Sequence, residues 1–423
     1  MTTRQDCLAL DAQDSLATLR DQFSLPAGKI YLDGNSLGVL PRATAQRVAQ
    51  VVEQEWGEQL IESWNTAGWI DLPQRIGDKI ARLVGAGAGE LVVADSTSVN
   101  LFKVLSAALS IANADAPEPR TRRVILSERG NFPTDLYIAE GLARERSCEL
   151  VLTDSPDQIA AHLASGRVAV MMLTQVDYKS GRLHDMAGLT RTAHAHGTLA
   201  LWDLAHSAGA LPVALKADGA DFAVGCGYKY LNGGPGAPAF VWVHPRHSER
   251  FWQPLSGWMG HAAPFEFRPS YRPAAGIARY LCGTPALLSM AALECGVDTL
   301  LAAEPLGGTA ALRAKSLALS DLFMALVEAR CGGHELSVIT PREHTLRGSQ
   351  VALARNEGAY AIVQALIARG VVGDFRAPDV LRFGFTPLYT RFIEVWDAVE
   401  HLRQVLASGE WREARFNQRA AVT

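Results

Sequence analysis

The sequence predicts an α/β protein, in which a large domain with a mainly parallel sheet and helices on both faces precedes a smaller α+β domain. Three observations predict this class. Apolar runs of strand length alternate with helix-period stretches between residues 90 and 245, and shorter strands among longer helices follow residue 300. The chain has 423 residues, of which 48% are hydrophobic and 20% charged, as in globular proteins. We expect an N-terminal arm and helix over 1–60, the large domain over 61–300 and the small C-terminal domain over 301–423.

Six apolar runs in the large domain are predicted strands: 91–94, 123–127, 168–173, 199–202, 222–224 and 240–243. The helices predicted between them are 98–112, 135–146, 157–164 and a stretch from Asp185 to Gly197. Thr97 and Ser98 are suited to cap the first helix, and Gly197 to end the last. This alternation implies right-handed crossovers, with ligands at the carboxyl ends of the strands.

The remaining chain predicts one helix near the N-terminus, over 43–56, and a mixture of helices and strands at the C-terminus. The C-terminal helices are predicted at 310–328, 359–369 and 392–407, and the strands at 336–340, 350–354 and 380–385. The widest loop-like composition is 113–120.

Composition excludes several classes of protein. The net charge of −4 argues against a broad basic face for nucleic acid, and no run of 18 apolar residues predicts a membrane span. The N-terminus has no signal-peptide core, and six scattered cysteines form neither a disulfide framework nor a CxxC pair. His194 and His196 are expected to face solvent, and no metal site is predicted. We therefore expect a cytoplasmic protein without nucleic-acid, membrane or metal partners.

The segment 198–236 carries the chemistry. A buried strand ends on Asp203, and Lys229 follows between two tyrosines and ahead of a Gly/Pro-rich loop. An aspartate there can pair with a protonated pyridine nitrogen, and a lysine in a pocket can form a Schiff base with an aldehyde. Thr97 and Ser98 at a helix start can hold a phosphate. Together these groups suit pyridoxal 5'-phosphate.

Eight segments along the whole chain resemble the kynureninase family, which has the aspartate aminotransferase-like fold (fold type I) of pyridoxal-phosphate enzymes. They are YLDGNSLG (31–38), SWNTAGW (63–69), NFPTDLY (131–137), DLAHSAGA (203–210), GYKYLNGGPG (227–236), LSGWMGH (255–261), YLCGTP (280–285) and RFGFTPLY (382–389). The resemblance implies a seven-stranded sheet in the large domain and a homodimer with active sites at its interface. It also implies hydrolysis of L-kynurenine to anthranilate and L-alanine, a step of tryptophan catabolism and NAD biosynthesis.

The same resemblance implies a role for individual residues. Lys229 would form the Schiff base, Asp203 would pair with the pyridine nitrogen, and Tyr228 would bind phosphate and relay a proton. Arg382 would clamp the substrate carboxylate, since a guanidinium binds carboxylates through two hydrogen bonds. The other expected cofactor contacts are Thr97, Ser98, Phe132, Asp135, Thr174, His206, Trp258 and Thr284, the last two from the neighbouring subunit. The other expected substrate contacts are Trp64 and Asn35.

Alternatives remain at this point. A cysteine desulfurase on the same fold would need a reactive cysteine, for which Cys331 is the one candidate. An aminotransferase on the same fold would release a keto acid. A non-catalytic protein that binds pyridoxal phosphate is a further alternative, against which Lys229, Asp203 and Arg382 argue. For Trp64 and Trp69, core packing competes with a place in the wall of an aromatic-substrate pocket. A nicotinamide enzyme is excluded, because no GxGxxG follows an early strand. The substrate is expected to be L-kynurenine, with 3-hydroxy-L-kynurenine as the alternative.

Overall fold

The computed structural model describes residues 2–116 and 121–419. Of the loop predicted at 113–120, positions 117–120 therefore lie outside the described residues. Within the described residues, none of the helices combines the length and apolar character needed to cross a membrane.

The large domain is built on a seven-stranded sheet, as expected. Its strands are β2 (Leu91–Val93), β3 (Val124–Glu128), β4 (Glu149–Thr153), β5 (Val168–Thr174), β6 (Leu199–Asp203), β7 (Phe222–Gly225) and β8 (Phe240–Val243). Their spatial order is β2-β8-β7-β6-β5-β3-β4, and only β8 runs antiparallel to its neighbours. The predicted α/β class with a mainly parallel sheet is thus confirmed.

Helices cover both faces of this sheet. They are α4 (Leu72–Val84), α5 (Thr97–Asp115), α6 (Pro133–Arg146), α7 (Pro156–Ala164), α8 (Met186–Ala195) and α9 (Leu287–Leu301). Strand β5 illustrates why two layers are needed: Met171 and Leu173 face one hydrophobic core, whereas Val170 and Met172 face another. A strand that is apolar on both faces must be covered on both, which explains its uninterrupted hydrophobic run.

Strand β4 was not predicted from the sequence. It lies at the edge of the sheet, pairs only with β3, and begins at the exposed Glu149. An edge strand needs less apolar surface than a central one, so its short apolar run gave a weak signal.

The C-terminal part has its own four-stranded antiparallel sheet and a separate core. Its strands are β9 (Ser337–Val338), β10 (Gln350–Ala354), β12 (Asp374–Arg376) and β13 (Val380–Gly384), in the order β12-β13-β10-β9. Helices α10 (Gly308–Arg330) and α11 (Ala359–Ala368) pack against it, and α12 (Phe392–Ser408) packs against both of these helices.

The N-terminal residues join both cores. Strand β1 (Ile30–Tyr31) pairs in parallel with β11 (Val371–Val372), and helix α1 (Arg4–Ala12) packs against α12. The helix predicted over 43–56 is an α-helix, α2 (Arg42–Gln50), that continues as a π-helical stretch over Val51–Trp56. A short helix, α3 (Ser63–Thr66), follows. The domain limits at 60 and 300 remain predictions.

Candidate active site

A cavity of about 280 Å³ lies at the carboxyl ends of β5 and β6 and beside the starts of α5 and α6. This is where ligands of doubly wound sheets bind. The cavity brings together nine of the residues singled out from the sequence: Thr97, Ser98, Phe132, Asp135, Thr174, Asp203, His206, Tyr228 and Lys229. Ser96, Thr134, Tyr178 and Ala205 complete its lining.

Lys229 lies inside this cavity with only 8% of its surface exposed. Its amine Nζ is 2.9 Å from His206 Nε2 and lies 5.8 Å and 5.7 Å from the ring centroids of Phe132 and Tyr228. No carboxylate forms an ion pair with this amine among the described residues. A buried amine without an ion-pair partner is placed for reaction with a carbonyl group.

Two buried carboxyl groups, Asp203 and Asp135, lie in the same cavity. Burial raises the pKa of both, and the charge of Asp203 raises the pKa of Asp135 further. The amine of Lys229 and the backbone N–H of Ala205, 2.8 Å from Asp203 Oδ1, act in the opposite sense on the Asp203 pKa. Asp135 Oδ2 is buried without a hydrogen-bond partner. A cationic ring nitrogen would satisfy this pair of acids.

Two helix starts provide a place for an anion. Helix α5 begins at Thr97, and its cap is Ser96, whose side chain accepts a hydrogen bond of 3.3 Å from Val99 N. The expectation that Thr97 and Ser98 form the cap is corrected: they are the first helical residues, with backbone N–H groups that have no intrahelical partner. Ser98 Oγ lies 2.8 Å from Thr134 Oγ1 at the start of α6. Phosphate groups bind at such sites.

Asn131 was missed from the sequence although it begins the NFPTDLY motif. Its side-chain oxygen accepts hydrogen bonds from Phe132 N, at 2.7 Å, and from the Thr174 hydroxyl. Its amide nitrogen donates to Ser127 Oγ at 3.1 Å. Asn131 therefore fixes Phe132 and Thr174, and the Phe132 side chain remains 41% exposed at the cavity.

Arg382 does not line the cavity but is connected to it. Its guanidinium donates to Asp374, to Ser36 Oγ at 2.8 Å and to the carbonyl of Tyr178, which does line the cavity. Asp374 also pairs with Arg376, at 2.7 Å. Burial alone would raise the pKa of Asp374, but the two guanidinium groups and Ser36 lower it overall.

Asn35 is fully buried on the loop after β1, and neither its side-chain oxygen nor its nitrogen has a hydrogen-bond partner among the described residues. A Cβ atom at Gly384, two residues after Arg382, would lie 1.8 Å from Asn35 Oδ1, so the Asn35 side chain lies directly against the Gly384 backbone. Asn35 thus lies near Arg382 in the fold, outside the lining of the cavity.

Three predicted residues lie elsewhere in the chain. Trp64 packs edge-on against the buried Trp69, with ring centroids 6.1 Å apart. Trp258 packs edge-on against Phe265 and is 38% exposed, and Thr284 lines a second cavity of about 210 Å³. None of the three lines the cavity of Lys229, so their roles remain predictions.

The histidines outside the site have a partner that the sequence did not indicate. His194 and His247 each place Nε2 2.7 Å from a carboxylate oxygen of the buried Asp221. His194 is exposed, as expected, but its ring also binds the buried carboxylate of Asp221. Among residues 2–116 and 121–419, no group of three His, Cys, Asp or Glu side chains is arranged to hold a metal ion.

Two family models together match residues 42–402 of the chain. Residues 42–353 match aminotransferase class-V, and residues 312–402 match the kynureninase C-terminal domain. Taken with the cavity, these matches define a pyridoxal-phosphate-dependent protein of the class-V type. Relatives narrow this further: the kynureninase of Pseudomonas fluorescens is 57% identical and that of Burkholderia pseudomallei (strain 1106a) 56% identical, each over 100% of both chains. The chain belongs to the kynureninase family.

Solved structures of low sequence identity share the fold. The apo cysteine desulfurase of Thermococcus onnurineus NA1 superposes with a TM-score of 0.76 at 17% identity, covering 92% of this chain and 98% of that chain. A cysteine desulfurase of Escherichia coli gives a TM-score of 0.74 at 18% identity, covering 93% and 98%. These matches confirm the fold-type I architecture.

The cavity fits pyridoxal phosphate in each of its parts. It offers an amine at Lys229, a buried acid pair with an unpartnered oxygen at Asp135, and a helix start at Thr97 and Ser98 for the phosphate. Phe132 presents an aromatic ring at the side. By contrast, Cys331 is buried at the end of α10, where burial raises its thiol pKa to about 11. Such a thiol does not suit the nucleophile of a desulfurase.

Proposed function

We propose that the protein hydrolyses the Cβ–Cγ bond of L-kynurenine to give anthranilate and L-alanine, in the degradation of tryptophan by way of kynurenine. The observation that carries this proposal is the placement of Lys229 and the acid pair in one cavity, in a chain with full-length relatives named kynureninase. Water adds to the γ-carbonyl carbon, the Cβ–Cγ bond breaks, and Cβ receives a proton. The atoms of L-kynurenine and one water are then those of the two products.

The cofactor would be held by Thr97, Ser98 and Tyr228 at its phosphate, by Asp203 at its ring nitrogen and by Phe132 at its ring face. When bound, it supplies a sink for the electrons released at the α-carbon of the substrate. Asp203 would serve this chemistry by keeping the ring nitrogen protonated. Its backbone hydrogen bond from Ala205 keeps the carboxylate oriented.

Lys229 would remove the α-proton of the substrate, because its amine lies in the cavity and a lysine amine can act as a general base. Tyr228 is proposed to move a second proton beside the phosphate. Burial raises the pKa of its hydroxyl, and the neighbouring Cys226 and Asp203 act in the same direction, so the phenol remains a proton donor at neutral pH. Arg382 would hold the α-carboxylate, with Asn35 and Trp64 as further substrate contacts.

The same proposal includes a homodimer whose neighbouring subunit contributes Trp258 and Thr284 to the phosphate site. Trp258, Phe265 and Phe267 are 38%, 60% and 78% exposed in the single chain. A cluster of exposed aromatic side chains is typical of a protein interface, which supports a second subunit that covers them. From the sequence pattern and the family resemblance we also propose the division into a large domain over 61–300 and a small domain over 301–423, and a location in the cytoplasm.

The test is an absorption and fluorescence experiment on purified protein. Pyridoxal phosphate is expected to give a visible absorption band, and added L-kynurenine to release fluorescent anthranilate. Lys229→Ala should lose both the band and turnover, whereas Lys216→Ala, at a lysine paired with Glu90, should retain both. Turnover by Lys229→Ala would contradict the proposal.

Two further outcomes separate the alternatives. A visible band without anthranilate would retain the cofactor and direct the next assay to 3-hydroxy-L-kynurenine. Formation of a keto acid in place of L-alanine would indicate an aminotransferase.

A further inference from the structure

Gln350 connects the cavity to the small domain. It is the first residue of β10, is fully buried, and lies outside the cavity lining. Its side chain reaches the large domain at three points: His206 Nδ1, 2.9 Å from Oε1, and the backbone carbonyls of Tyr178 and Asp177, at 2.8 Å and 3.2 Å from Nε2.

These contacts determine the orientation of the amide. Two carbonyl oxygens can only accept, so the end of the Gln350 side chain that faces them must be the NH₂ group. The oxygen Oε1 then faces His206 Nδ1, which must donate. The Nδ1 atom of His206 therefore carries a hydrogen.

The state of the second ring nitrogen follows. His206 is buried, and burial together with the positive charge of Lys229 lowers its pKa well below 6.5. A neutral imidazole has only one N–H, so Nε2 has a lone pair. That lone pair accepts a hydrogen bond from Lys229 Nζ at 2.9 Å. The tautomer of His206 thus sets where the amine is held.

The local backbone makes room for Gln350. Gly181 has a φ of +75°, and a Cβ atom at this position would lie 2.9 Å from Gln350 Cγ. A side chain at Gly181 would be strained and would displace the amide of Gln350. The loop after β5 is therefore shaped to receive this one side chain.

We propose that Gln350 is a positioning residue, which holds His206 as the Nδ1–H tautomer so that its Nε2 atom accepts from the Lys229 amine. The hydrogen bonds also continue to the substrate side, because the Tyr178 carbonyl accepts from both Gln350 and Arg382. Gln350 and Arg382 lie on neighbouring strands of the small sheet. The inference rests on the proposed role of Lys229.

The direct test is ¹⁵N nuclear magnetic resonance of the protein labelled at histidine, with the His206 signals assigned by comparison with His206→Gln. In the native protein, Nδ1 of His206 should be protonated and Nε2 should carry no proton. Gln350→Met, which removes the acceptor, should lose this pattern, and Gln350→Glu, which retains an oxygen, should keep the proton on Nδ1. A native His206 protonated at Nε2 alone would overturn the inference, whether or not any variant folds.

Kinetics provide a second readout. Gln350→Met should lower kcat by about 10-fold to 100-fold, as when the partner that orients a functional histidine is removed, while KM changes less than kcat. Gln253→Met is the matched control, because Gln253 is also buried but donates to the Lys103 carbonyl, at 3.4 Å, and does not line the cavity. The inference would also be overturned by an equal loss of kcat in both variants, or by an unchanged His206 tautomer in Gln350→Met.

This design separates two failures. If native protein shows no visible band with pyridoxal phosphate and no anthranilate, the proposed function fails. If native protein is active but the His206 tautomer does not depend on Gln350, only the role of Gln350 fails.

Discussion

Asp374 holds the guanidinium of Arg382 from within the small sheet: Arg382 Nε donates to Asp374 Oδ1 at 2.9 Å, and Nη2 donates to Oδ2. The two residues lie opposite each other on neighbouring antiparallel strands, β12 and β13. Both side chains are 1% exposed. Asp374 thus fixes the direction in which Arg382 can present its remaining N–H groups.

The first prediction concerns this pair. Asp374→Asn keeps one acceptor but removes the charge, so the guanidinium loses its fixed orientation. We expect KM for L-kynurenine to rise about 10-fold, equivalent to ~1.4 kcal/mol of binding, with a smaller change in kcat. Steady-state kinetics measure this. Asp379→Asn is the control, because Asp379 only approaches Lys179, at 3.8 Å, and is partly exposed. Equal KM values for the two variants would show that Asp374 does not orient Arg382 for substrate binding.

The second prediction concerns pH. Burial and the charge of Asp374 raise the pKa of Asp33 to about 8. A carboxyl group with a raised pKa in the folded state binds more protons there than in the unfolded state, so its contribution to stability falls as pH rises from about 4 and levels off above its folded pKa. Asp33→Asn removes this loss. Calorimetry should show a Tm about 2 °C or more above native at pH 9, consistent with ~1 kcal/mol, and little difference at pH 4. A constant difference across this range would contradict the assigned pKa.

The third prediction concerns Asp221, a buried carboxylate without a place in the cavity. Burial alone would raise its pKa, but hydrogen bonds from His194, His247, Ala200 N and Arg246 outweigh this and lower it strongly. A lowered pKa stabilises the fold above the unfolded value near ~4, and this stability is lost as pH falls below it.

Asp221→Asn should therefore destabilise the protein at neutral pH by about 3 kcal/mol, as when one partner of a buried ion pair is removed. Urea unfolding at pH 7 and at about pH 3, below the unfolded value near ~4, measures the effect, and the loss should be smaller at the lower pH. Asp218→Asn is the comparison, because burial and Asp185 raise the Asp218 pKa. A loss in Asp218→Asn as large as that in Asp221→Asn would mean that the ion-pair cluster is not the cause.

The fourth prediction tests the contribution of a second subunit. Trp258→Ala and Lys229→Ala should each be inactive as pure proteins. If the two residues belong to different subunits of one site, an exchanged equal mixture contains hybrid dimers with one intact site and should recover about a quarter of native activity, as expected for random pairing in a two-fold dimer. An inactive mixture, after exchange is verified by mass spectrometry of labelled subunits, would place both residues in the same subunit.

The sequence predicted the central sheet and the cavity well for a physical reason. Strands such as β5 and β6 are buried on both faces, so their apolar runs are unambiguous, and Asp203 follows directly at a strand end. Strand β4 was missed because an edge needs fewer apolar residues. The Ser96 cap was missed because three consecutive hydroxyl residues could each have begun the helix.

Contacts between distant parts of the chain left no such signal. Gln350 meets His206 across 144 positions, and Asp374 meets Arg382 through strand register. Neither spacing nor hydrophobic pattern encodes such pairs. Asn131 lies within a recognised motif, but its bond to Thr174 depends on the packing of β5 against the start of α6.

The division of the site between two cores also constrains how this fold can be recombined. A chimaera that joins the first 300 residues of this chain to the C-terminal part of a desulfurase would retain the cavity lining, all of which lies before residue 230. It would lose Gln350, Asp374 and Arg382 together. Such a hybrid should bind pyridoxal phosphate but should not hydrolyse L-kynurenine. Recombination within this fold should therefore preserve activity only when the loop at 177–182 and the strand that begins at 350 come from the same parent.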